Sequence, residues 1–324
     1  MQKQLEGRHH LINLVDTNDC NNTILHLACE HYHLTLVTWL LQQQSRLMVN
    51  MSNRGGKTAF FVACEKGFSD IVKAMLLSRS TTQPLLDVNV GSIHHSSLMI
   101  ACKGGHVGVV KELLERGGDK VEVNRVIGGS ALTHACDSGN MEMLELLLNH
   151  PTIDVNQKIG KGSTLLHHVC YYSQLAQLKR LLQLPTSKLN PQSDVGLTPL
   201  MVVCQQGGSM IVSELVKYKK VNPNICDSQK RTALWIAAKG RSTSIFLSLL
   251  RTPHWVVDTA TKPKGEEYSQ QYAEYLEEYA RDSDKFQAKY GGTQSYEHPH
   301  PGKRYFNFVF YFLHFFEPHP FSQK

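Results

Sequence analysis

The sequence is short of the features that mark several protein classes. Charged residues make up only 19% and aromatics 8%. The basic excess, 34 Lys and Arg against 28 Asp and Glu for a net charge of +6, nowhere gathers into a run of five or six like charges, so an electrostatic footprint for nucleic acid is missing. No apolar run approaches the roughly 20 residues that span a bilayer. The longest, Tyr305 to Phe316, is broken by Asn307 and His314, and the N-terminal stretch offers only Leu11 to Val15 behind mixed charges, which predicts neither a signal peptide nor a transmembrane start. No CxxC or CxxH pair has a matching second half for zinc. Acidic residues fall at scattered positions, and no Ser-His-Asp or paired-carboxylate arrangement can be assembled from them. What remains is a chain of 324 residues with 41% hydrophobic residues and 23 glycines, an ordinary globular balance that excludes wholesale disorder. A soluble, intracellular chain without catalytic residues, cofactor or metal is expected.

What the sequence does have is a period. Seven short segments align: Thr23 to Cys29, Thr58 to Cys64, Ser96 to Cys102, Ser130 to Cys136, Thr164 to Cys170, Thr198 to Cys204 and Thr232 to Ala238, with starts 35, 38, 34, 34, 34 and 34 residues apart. A second apolar pair follows each start at a fixed distance, as in Leu40-Leu41, Leu113-Leu114, Leu147-Leu148 and Leu249-Leu250. Each unit therefore reads as two helices. An Asn precedes the next unit in Val49-Asn50, Val88-Asn89, Val123-Asn124, Val155-Asn156, Leu189-Asn190 and Val221-Asn222, a residue that tolerates turn geometry. Thr or Ser at each start can accept a backbone N–H at a helix N-terminus. Gly56, Gly128, Gly162 and Gly196 suit a turn two residues before it, and Asn21, His94 and Lys230 stand there in the other units. Three residues beyond the Cys position, Gly67, Gly105, Gly139 and Gly207 suit a left-handed helix cap, where Tyr32, Ser173 and Arg241 depart.

The pattern resembles the ankyrin repeat, with a period near 33 and the signature T-P-L-H-x-A; Thr198-Pro199-Leu200 is the nearest literal match. The resemblance covers roughly residues 16 to 258 and implies an all-α solenoid of stacked helix-turn-helix units joined by β-hairpin-like loops. One unit cannot bury its apolar stripe alone, so stability is expected from stacking. The expected organisation is an N-terminal cap or truncated repeat at 1–15, about seven repeats at 16–258, an amphipathic helix serving as cap within 259–292, and a disordered or anomalous tail at 293–324.

Six of the eight cysteines, Cys29, Cys64, Cys102, Cys136, Cys170 and Cys204, share one repeat position. Packed helices about 8 to 10 Å apart hold such residues beyond disulfide reach, so they read as small buried hydrophobes in a reducing compartment. Arg54-Gly55-Gly56-Lys57-Thr58 imitates the end of a phosphate-binding loop, but the pattern needs a glycine where Met51 stands. The 17 histidines read as loop residues plus the repeat-position pair His26 and His167.

With the repeated positions assigned to the fold, function is expected at the variable ones. The resemblance implies that a protein partner docks on a concave face made of hairpin tips and first-helix ends. Transferred by register, the candidate contacts are Lys57, Lys66, His95, Lys103, Tyr171, Tyr172, Gln205, Gln206, Arg231, Trp235 and Lys239. Tyr171 and Tyr172 stand out because Tyr offers large contact area at small entropic cost. Trp235 reads either as an exposed aromatic or as a partly buried one, and the basic tips Lys57, Arg231 and Lys239 suggest an acidic partner surface. The family also implies hydroxylation of a loop asparagine, and Leu148, Asp154 and Asn156 satisfy its local preference. Beyond the repeats, Tyr268, Tyr272, Tyr275, Leu276 and Tyr279 fall on one helix face. Eight of the twelve residues from Tyr305 to Phe316 are aromatic, which reads as translated non-coding sequence or as a peripheral membrane anchor. The leading expectation is a non-catalytic scaffold or adaptor, monomeric by itself; the alternatives are a peripheral membrane protein and the regulatory repeat region of a larger enzyme or channel.

Overall fold

A computed structural model of the chain describes residues 12–16, 20–43, 47–78, 85–252, 255, 257–259, 261, 267 and 269–281. The expectations for 1–11 and for the aromatic tail lie outside them. The chain divides into two compact units, Met1–Val155 and Asn156–Lys324.

In the first unit the strands β1 (Val15–Asp16) and β2 (Asn22–Thr23) form a small antiparallel ladder, Val15 opposite Thr23. Four helix pairs follow: α1 (Ile24–Glu30) with α2 (Leu34–Leu41), α3 (Ala59–Lys66) with α4 (Ser69–Ser78), α5 (Ser97–Lys103) with α6 (Val107–Arg116), and α7 (Ala131–Asp137) with α8 (Met141–Leu148). Within this unit α1, α3, α5 and α7 pack side by side as an inner layer, and α2, α4, α6 and α8 as an outer one. The second unit repeats the plan with α9 (Leu165–Tyr171) and α10 (Leu175–Gln183), α11 (Pro199–Gln206) and α12 (Ser209–Leu215), and α13 (Ala233–Lys239) and α14 (Thr243–Leu250), followed by α15 (Gln270–Arg281). Its inner layer is α9, α11 and α13. On the last pair, Tyr272 of α15 is buried with its ring 4.7 Å from that of Phe246 and its hydroxyl 3.2 Å from that of Thr243.

The repeated residues account for this geometry one by one. Thr58, Ser96, Ser130, Thr198 and Thr232 accept the N–H of the third helical residue at 3.2 to 3.3 Å, each such cap being worth about 1 kcal/mol. Inner helices of seven or eight residues are too short to persist alone, so the apolar stripes are held by burial: Leu25, Phe60, Phe61, Met99, Leu147, Leu178 and Leu215 are at most 2% exposed. The six equivalent cysteines are all buried, and all eight cysteines are free thiols. Burial pushes the Cys29, Cys102 and Cys170 thiols well above their ordinary range, and that of Cys136 up to about 12, so none of these four is a nucleophile at neutral pH.

At the cap after the inner helix, Gly67, Gly105, Gly139 and Gly207 have φ of 69 to 78°, and Tyr32, Ser173 and Arg241 adopt the same left-handed conformation at 55 to 56°. The stack therefore imposes the conformation even where the residue resists it. At the hairpin tips Asn21 and Lys230 are likewise left-handed, like Gly56, Gly128, Gly162 and Gly196. His94 is not. The third hairpin, which follows the 38-residue spacing, is held instead by the Ser92 hydroxyl, which accepts the N–H groups of His94 and His95 at 3.3 and 3.1 Å.

The loop asparagines do more than turn the chain. In Asn50, Asn124, Asn156 and Asn190 the side-chain amide joins two points of the following loop. Asn50 donates to the Leu85 carbonyl and accepts from the Asp87 N–H; Asn124 does the same with Thr152 and Asp154, Asn156 with Thr186 and Lys188, and Asn190 with Lys220 and Asn222, at 2.7 to 2.9 Å. In the sixth loop Asn222 keeps the expected turn role, its Oδ1 accepting the Asn224 N–H at 2.9 Å, and the link to the following loop is made by Asn224, which accepts from the Asp258 N–H at 2.7 Å. Asn13 belongs to the series too, accepting from Met48 N–H at 2.8 Å.

Candidate functional site

The residues that vary between repeats gather at the hairpin tips and inner-helix ends, and the two units use them differently. In the first unit most of the charges are spent internally. Lys57 Nζ binds both Glu65 carboxylate oxygens at 2.9 and 2.7 Å and lies 5.7 Å above the Phe61 ring, while Lys66 pairs with Glu30 at 3.4 Å. Lys103 is exposed at the end of α5. The His95 ring lies 5.3 Å from that of His134, tilted by 45°; burial, then the Lys103 and His94 charges, lower its pKa against an opposing pull from Glu65.

In the second unit the α9 end is aromatic. Tyr172 is 50% exposed and Tyr171 half-buried, their rings edge to face at 4.9 Å, and Tyr172 also meets the His168 ring at 4.7 Å. These three, with Ile159, Gly160 and Ser163 of the preceding hairpin, His167 below and Val202 of α11, line a small apolar cup. The hairpin wall is fixed by the Ile159–Ser163 bridge. The floor is fixed by His167, whose Nδ1 accepts the Thr164 N–H at 3.1 Å while its Nε2–H donates to the Leu197 carbonyl at 2.8 Å. A carbonyl can only accept and an amide N–H only donate, so these partners select the neutral Nε2–H tautomer. Burial lowers the His167 pKa against the opposing pull of that carbonyl. His26 makes the same pair of bonds in the first unit, to Thr23 N–H at 3.2 Å and the Lys57 carbonyl at 2.9 Å, and its pKa is lowered by burial as well.

The remaining candidates divide. Gln205 and Gln206 are exposed at the end of α11, and Lys239 at the end of α13. Arg231 is committed to its own hairpin: buried Asp227 receives its guanidinium at 2.6 Å and the Arg231 and Gln229 N–H groups at 2.9 Å. Trp235 is 6% exposed, with Lys239 Nζ 5.6 Å over its ring, so of its two readings the buried one holds. Of the three basic tips, Lys57 and Arg231 carry their own counter-charges. Asn156 is a half-buried staple of the second unit. Sequence reasoning missed His168, Ile159 and Val202 as walls of the cup, and nothing local distinguishes them. It also missed Asn224, whose 34-residue distance from Asn190 was a usable signal.

Among the described residues, no helix is long and apolar enough to cross a membrane. No curated protein matches the chain. Among solved structures, the human ASB11 ankyrin repeat domain superposes with a TM-score of 0.55 at 24% identity, covering 70% of this chain and 98% of that one, a likeness of fold. The family model for ankyrin repeats, three copies, matches residues 2–84, 78–159 and 166–258. With well over half of its length so matched, the chain belongs to the ankyrin repeat family, whose repeats are in general protein-interaction modules and typically not enzymes.

Proposed function

We propose that the chain is a non-catalytic scaffold or adaptor that holds a partner protein on its hairpin tips and inner-helix ends, with Tyr171 and Tyr172 as the anchor. The observation that carries this is a half-exposed tyrosine set edge to face on a second one above an apolar cup. Aromatic groups of this kind, rigid and only partly desolvated, are what binding hot spots are made of. The shared position of six buried thiols suits a reducing compartment, and we place the chain in the cytoplasm or nucleus. Quantitative affinity capture from native lysate tests the reading. The full chain is compared with one carrying Lys66→Ala, Lys103→Ala, Tyr171→Ala, Tyr172→Ala and Lys239→Ala, both shown folded by circular dichroism. Proteins lost from the variant alone are the expected result; identical captures from two folded chains would remove this face from consideration.

A further inference from the structure

Resting on that reading, we infer that the cup in the second unit binds a short uncharged segment of a partner protein by taking in one aliphatic side chain. The size of the hollow comes first. The hollow is small, with about 30 Å³ open to the centres of water-sized spheres, room for a few of them, which suits the tip of Leu, Ile, Val or Met. Charge comes second. The lining of Ile159, Gly160, Ser163, His167, His168, Tyr171, Tyr172 and Val202 holds no carboxylate, ammonium or guanidinium group, and the bonds to His167 keep that ring neutral. A charged anchor would be desolvated there without a counter-charge, which is costly. The neighbouring surface comes third. Gln205 and Gln206 follow Val202 at i+3 and i+4, on the same face of α11, and both are exposed. Their amides can donate to and accept from a peptide backbone without asking for charge. The lining itself thus offers no counter-charge to a charged anchor; the exposed Lys158 and Lys161 lie outside it on the same hairpin.

The test is a selection of random linear peptides on the immobilised full chain, repeated with Tyr172→Ala and with Gly160→Leu. Gly160 is exposed, has ordinary φ and has open space where a side chain would begin, so Leu there covers the mouth of the cup without straining the fold. The expected result is a set of peptides sharing one Leu, Ile, Val or Met between uncharged neighbours, whose affinity drops about tenfold or more on both variants. Three outcomes overturn the inference: peptides indifferent to both variants, peptides that need the cup but are anchored by Arg, Lys, Asp, Glu or Trp, and no enrichment over bare support. Only the cup and its occupant are at stake in this selection. If lysate partners are lost from the multiple variant while the selection fails, the interaction reading stands and the aliphatic anchor falls; if neither experiment gives a result, both fall.

Discussion

Two of the three inner-helix ends in the second unit carry chemistry that the first unit lacks at those repeat positions, while the Lys-Gly pair occurs in both. At the inner-helix ends the first unit has Glu30-His31, Glu65-Lys66, Lys103-Gly104 and Asp137-Ser138, and the second has Tyr171-Tyr172, Gln205-Gln206 and Lys239-Gly240. Caps, apolar stripes and loop staples are alike in both. The difference is therefore confined to side chains the fold does not need. Surface ion pairs such as Lys66–Glu30 add little to stability, about 0 to 1 kcal/mol, but a partner covering them would have to desolvate charges that already have counter-ions. The aromatic and amide surface of the second unit imposes no such cost, which is why the binding proposal is placed there.

If the units differ only at their surfaces, their cores respond alike, and this is where the largest effects are expected. Leu147 of α8 and Leu215 of α12 occupy equivalent outer-helix positions and are both fully buried. Truncation to Ala costs about 2 to 5 kcal/mol in either unit, read from the shift in urea midpoint. A loss under about 1 kcal/mol at one site and not the other would break the equivalence.

The staples come next. Asn124→Ala in the first unit and Asn190→Ala in the second each remove two loop-to-loop hydrogen bonds. At about 0.5 to 1.5 kcal/mol per bond, a loss of about 1 to 3 kcal/mol is expected from each. Asn222→Ala, which leaves the Asn190-to-Asn222 backbone bond in place and removes only a turn contact within its own loop, should cost less than Asn224→Ala. Equal losses would contradict the register.

Acid should act on both units through one device. Burial lowers the pKa of His26 and of His167 below the ordinary 6.5, so above about pH 6.5 their contribution to stability is full. As pH falls through that value the unfolded chain takes up protons before the folded one, and stability declines until the folded histidines are protonated too. Protonation also turns Nδ1 from acceptor into donor and breaks the bond to the Thr N–H. The fourth repeat supplies a cap that does not titrate, since Thr133 Oγ1 accepts the Ser130 N–H at 2.8 Å. His26→Thr with His167→Thr should make the fall in melting temperature below pH 6.5 shallower, each single change removing part of the slope and His95 keeping its own share. An unchanged slope would assign the acid sensitivity elsewhere.

How far the sequence could be read follows from where its signal lies. Period, caps and buried stripe are repeated seven times, so a departure in one unit, such as Asn21 for Gly, is outvoted by the rest; the fold was legible for that reason. The cup was legible only at Tyr171 and Tyr172. Its other walls come from a hairpin bridge and from Val202 one repeat further on, and that juxtaposition depends on how α9 and α11 pack. Charge was misread for the same reason: Lys57 and Arg231 look like free cations in one dimension, and only the folded chain brings Glu65 and Asp227 against them.

The smallest expected effect reaches the question of whether fold positions are truly interchangeable. Ser173 and Gly207 hold the same cap position in consecutive repeats of the second unit, at φ of 55 and 74°. A β-carbon in the left-handed region costs about 1 to 2 kcal/mol, partly offset because glycine gives the unfolded chain more freedom to lose. Ser173→Gly should therefore stabilise by about 0.5 to 1 kcal/mol, and Gly207→Ser should destabilise by a similar amount, because a Cβ there meets nothing nearer than the Ser242 hydroxyl at 4.0 Å. The double exchange moves the strain from one repeat to the next and should leave the urea midpoint nearly unchanged. A stabilising Ser173→Gly without its mirror image would mean that the serine serves the neighbouring Tyr171–Tyr172 end in a way glycine cannot, and partner capture by the Ser173→Gly chain would then fall while its stability rose.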